Sequence, residues 1–95
     1  MEKGQWVKWQ NTPYDPEHIG KIVAVIPNGI VPTNDYLAEF ITLSEYRKFH
    51  QETTTPRDHV SYIVANKTNI GKIGKPRLMW PKVHLLNLIE PKTEF

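Results

Sequence analysis

The sequence predicts a mainly β fold: a small antiparallel barrel of five to six short strands with one short helical insertion near 43–51. Three observations predict it. Eight prolines and five glycines cut the 95 residues into short pieces, and pieces of about five to eight residues suit strands better than helices. Several of these pieces alternate with a period of two. No crossover helix separates them, which leaves antiparallel pairing in a small barrel or sandwich. One domain accounts for residues 1–95, with its core over about 4–89 and a frayed tail over 90–95. Hydrophobic residues make up 39% and aromatics 11%, enough for a modest core and too much for wholesale disorder.

Taken in order, Gln5 to Gln10 is the first strand, with Trp6 and Lys8 on one side and Val7 and Trp9 on the other. A turn-rich stretch with Pro13, Asp15 and Pro16 follows. Gly20 to Ile26, GKIVAVI, is continuous and β-branched, and Pro27-Asn28-Gly29 closes it with a tight-turn signal. Tyr36 to Leu43 reads as alternating strand or as helix, with strand favoured by Tyr, Phe, Ile and Thr. Leu43 to Gln51 reads as the helix, because Thr42 and Glu45 have capping-box spacing. His59 to Ala65 alternates with Val60, Tyr62 and Val64 on one face. Leu78 to Trp80 is a short apolar piece ended by Pro81, and Lys82 to Ile89, KVHLLNLI, is the last strand.

Two stretches resemble a known family. Gly4-Gln5-Trp6-Val7-Lys8-Trp9 followed by Ile19-Gly20-Lys21-Ile22-Val23-Ala24-Val25-Ile26 resembles the opening of SH3-like barrels of the KOW and Tudor type. Ser61-Tyr62-Ile63-Val64 and Trp80-Pro81-Lys82-Val83-His84-Leu85-Leu86 are similar to the fourth and fifth strands of such a barrel. The resemblance runs from about Gly4 to Ile89, with the helix and linker over 42–56 as a departure. It implies a binding module rather than an enzyme. Similar small barrels also occur among bacteriophage proteins.

Net charge is +2, too mild as a whole to imply a nucleic-acid partner. Its distribution is uneven. Residues 53–89 hold six Lys or Arg and one acid, Asp58, whereas residues 1–52 hold five basic and seven acidic residues. Lys67, Lys72, Lys75, Arg77 and Lys82 fall within 67–82 with no acid between them, and Gly71 and Gly74 would let backbone approach a phosphate. With Trp80 or Trp6 stacking on bases, this loop is the candidate nucleic-acid site. The plainer reading is a solvated hairpin kept apart from other edges by lysine. Trp6 shares its side with Lys8, so it is expected to be exposed.

The alternative is a protein-interaction adaptor, or a phage-encoded inhibitor of a host protein. It would bind through an aromatic groove near the helix at 43–51 and the Tyr36-to-Phe49 aromatics. Catalysis finds no motif: there is no G-x-S-x-G, P-loop or G-x-G-x-x-G, and Ser61 with His59 lacks a third member. His18, His50, His59 and His84 lack helical zinc spacing, and there is no cysteine, so neither a metal nor a cofactor is expected. The start MEKGQWVKWQ lacks a signal-peptide core, and Ile22 to Ile26 is too short to span a bilayer. The expectation is a cytoplasmic domain without a membrane partner.

Overall fold

The computed structural model describes residues 1–33, 49, 55–66 and 77–91. Five strands form one antiparallel sheet: β1 Trp6–Trp9, β2 His18–Ile26, β3 Ser61–Asn66, β4 Arg77–Met79 and β5 Asn87–Ile89. Their spatial order is β4-β3-β2-β1-β5. Strands β1 to β4 are a meander, and the chain then returns to lay β5 beside β1. The fold is therefore mainly β, as expected. Among the described residues β4 and β5 are the two edges, and the hydrogen-bond ladder between them is not closed. The strand or helix expected over 36–43 lies outside the described residues. So does the helical insertion at 43–51 apart from Phe49, which packs against the core.

Both faces of the sheet centre are buried, which is why β2 and β3 read as near-continuous apolar runs. On one face Ile63 and Ala65 of β3 cluster with Val23, Ala24 and Ile26 of β2 and Leu78 of β4. On the other, Tyr62 and Val64 cluster with Val7, Trp9, Ile22 and Leu86. The register slips between Ile22, opposite Val64, and Ala24, opposite Ile63. This bulge explains how the neighbours Val23 and Ala24 join the same cluster. Full burial of each large side chain contributes about 1.5–3 kcal/mol. Gly20 is required for the close approach of β2 to β3: a Cβ there would lie 2.5 Å from Val64 Cγ1 and 2.6 Å from the Ala65 carbonyl oxygen.

Two expectations are corrected. The segment over 82–89 is not one strand. Leu85 N–H donates to the Lys82 carbonyl at 3.0 Å and Leu86 N–H to the Val83 carbonyl at 3.1 Å, forming a 3-10 turn over Val83–Leu85. Pro81 cannot extend a ladder, and the turn lets Val83, Leu85 and Leu86 all reach one cluster, which alternation on a strand forbids. Trp6 is also not exposed. It is only 6% accessible, because β1 is an interior strand and Trp6 lies between its cross-strand neighbours Lys21 and Ile89. Trp9, on the opposite face, stacks on His18 with ring centres 5.2 Å apart, and its buried Nε1 has no hydrogen-bond partner. Among the described residues no helix is long and apolar enough to cross a membrane.

Candidate binding cleft

Two segments outside the ladder, 55–60 before β3 and 80–84 after β4, are drawn together by one arginine. Arg57 donates from Nη1 to the Pro81 carbonyl and from Nη2 to the Trp80 carbonyl, each at 2.7 Å. The planar guanidinium fork suits two successive carbonyls, which a lysine ammonium would not match. The same guanidinium lies over the Trp80 ring, 3.9 Å from its centre, so a cation–π contact adds to the two bonds. Burial pulls the Arg57 guanidinium below its ordinary value. On its edge, the Trp80 indole N–H donates to Ser61 Oγ at 2.8 Å. Ser61 is 1% exposed, so this bond satisfies a buried hydroxyl at the start of β3.

Backbone holds the first segment from the other side. Gly29 N–H donates to the Arg57 carbonyl at 2.7 Å, and Ile30 N–H closes a turn onto Pro27 at 3.2 Å. Gly29 has φ +79°, the left-handed value that this turn position requires and glycine adopts without strain. The Asn28-Gly29 signal thus aims a backbone donor at the cleft segment.

Between the two segments is a cleft of about 710 Å³ lined by Arg57, His59, Val60, Lys82, Val83 and His84. The lining is mostly apolar in area. Val60 precedes β3 and is 45% exposed, which corrects its expected place on the inward face with Tyr62 and Val64. The 3-10 turn presents Val83 and His84 to the cleft, while Leu86 just beyond it is buried. Lys82, His59 and His84 are exposed. Among the described residues no acid lines the cleft. Asp58 sits beside it in sequence, with its carboxylate 2.9 Å from His59 Nδ1. The hydrogen bond with His59 is the main reason the Asp58 carboxyl is held below its usual range, with its own backbone N–H and the His59 charge adding to it.

The predicted site residues separate on this frame. Lys67, Lys72 and Lys75 lie outside the described residues. Arg77 opens edge strand β4 opposite Asn66. Lys82 stands on the cleft, and Trp80 backs it beneath Arg57. Trp6 is buried and offers no face to a base. Sequence reasoning missed Arg57, His59, Val60, Val83 and His84 as one site. Arg57 carried a signal only in the charge tally, because its partner Trp80 is 23 residues away. Ser61 and His59 do not form a nucleophile pair: Ser61 is engaged by Trp80, and His59 lies outside β3 against Asp58. Among the described residues no three His, Asp or Glu gather as a metal site. The chain matches no family model, no curated protein and no solved structure.

Proposed function

We propose that this chain is a non-catalytic binding module on an SH3-like scaffold, with the cleft between 55–60 and 80–84 as its binding face and a negatively charged partner. The single observation that carries this reading is the lining. Lys82, His59, His84 and Arg57 surround two valines, with no acid among them. The meander whose fifth strand returns beside the first supports the SH3-like part of the proposal. A nucleic-acid partner on the 67–82 stretch is the second reading, favoured by six basic residues against one acid over 53–89.

The test is amide chemical-shift mapping at low salt, where charge attraction is strongest, with two anionic probes: an acidic peptide and a single-stranded oligonucleotide. At least one should move the amides of His59, Val60, Lys82, Val83 and His84, and Lys82→Glu should weaken the response. Cleft amides that stay still with both probes would overturn the proposal.

A further inference from the structure

Resting on the cleft as the binding face, we infer that its ligand is a protein segment in which an aspartate or glutamate stands next to an aliphatic side chain. Three features of the lining point to it. First, the cations are few and separated in role. Two of the five Arg57 N–H donors go to the Trp80 and Pro81 carbonyls and its guanidinium lies half-buried on the Trp80 ring, so among the described residues of the lining Lys82 is the exposed permanent cation. One ammonium is a point charge that suits one carboxylate. A phosphate backbone instead gains affinity from several contacts at once.

Second, among the described residues no aromatic lines the cleft. Trp80, which backs it, has the Arg57 guanidinium on its ring and Ser61 on its N–H, so that indole is not a free stacking platform for a single-stranded base. Val60 and Val83 offer aliphatic surface instead, in an open cleft of about 710 Å³. Third, Asp58 stands fully exposed beside His59 at the rim. A run of phosphates would pass that carboxylate at the cost of repulsion, whereas a single carboxylate directed to Lys82 need not meet it.

The experiment uses the whole chain and four probes. They are an uncharged-flank hexapeptide with Leu-Glu at its centre, the same peptide with Leu-Gln, the same with Ala-Glu, and an oligothymidylate of matched length. Amide shifts and fluorescence anisotropy are read together. The Leu-Glu peptide should move His59, Val60, Val83 and His84, and each single replacement in it should weaken binding roughly fivefold. Lys82→Glu should weaken Leu-Glu binding about tenfold. Both Lys82 and Val60 are exposed, so Lys82→Glu and a second variant, Val60→Ser, leave the fold standing, and Val60→Ser should lose the preference for Leu over Ala. Cleft shifts stronger with oligothymidylate than with Leu-Glu would overturn this inference while keeping the cleft. Still amides with every probe would overturn both.

Discussion

The centre of the sheet and the rim of the cleft are held by different chemistry. Strands β2 and β3 pair at six register positions and bury side chains on both faces. Every residue there repeats what its neighbours do. The rim has no repeat. Segments 55–60 and 80–84 are joined by the two Arg57 donors and the Arg57–Trp80 contact, and they are anchored by the Trp80–Ser61 bond to β3 and by one backbone bond from Gly29 to Arg57. Damage to the first region should therefore unfold the whole chain. Damage to the second should leave the sheet intact and loosen only the cleft.

The largest effect belongs to the sheet. Ile63 is fully buried at the middle of β3, opposite Ala24. Ile63→Ala removes buried methylenes and leaves a hole in the cluster with Val23, Ala24, Ile26 and Leu78 on that face of the sheet, so a loss of about 2–5 kcal/mol is expected in urea unfolding. The loss should appear equally by fluorescence and by circular dichroism, as a cooperative transition requires. A cost under about 1 kcal/mol, or two separated transitions, would show that the sheet centre is not the cooperative unit.

This contrast also explains what was legible in the sequence. Strands β1, β2 and β3 were readable because alternation and β-branching are local and repeated: GKIVAVI and SYIVA announce themselves. The Asn28-Gly29 turn was readable for the same reason, since the left-handed position falls on a glycine. The run KVHLLNLI misled because its apolar residues fit both a strand and a turn that turns three of them onto one cluster. Trp6 misled because alternation assigns sides but does not say which sides are covered, and the interior place of β1 follows from long-range pairing with β5. The cleft was the least legible part. Its maker, Arg57, acts on residues 23 and 24 positions away, and no local pattern encodes a side chain reaching two distant carbonyls.

The intermediate effect belongs to that arginine. Arg57→Ala should cost about 1–3 kcal/mol, because two charge-assisted bonds and the ring contact go together. Arg57→Lys keeps the charge but cannot bridge both carbonyls, so it should recover less than half of the loss. The informative readout is native-state hydrogen exchange. Amides of Gly29 and Leu85 should exchange faster in both variants, while the β2 and β3 amides near Ile22 and Ile63 keep their protection. Uniform loss of protection across the sheet would erase the distinction between the two regions.

The smallest effect lies on the same rim, only one residue further along. Asp58 and His59 form a contact of 2.9 Å between two exposed groups, and exposed pairs of this kind contribute little to stability. The sign of the linkage is nonetheless fixed. The folded Asp58 carboxyl is held below its ordinary range, so its contribution is present above the unfolded value, near 3.9, and is lost as pH falls through the lower folded value. A carboxyl-carbon titration should place the Asp58 midpoint below about 3.9. In His59→Gln the midpoint should rise toward the ordinary value without reaching it, since the backbone N–H still donates. The urea midpoint should not change measurably. A midpoint unmoved by the substitution would mean that the carboxylate is held by backbone alone, and that His59 is as free to meet a ligand as Lys82 is.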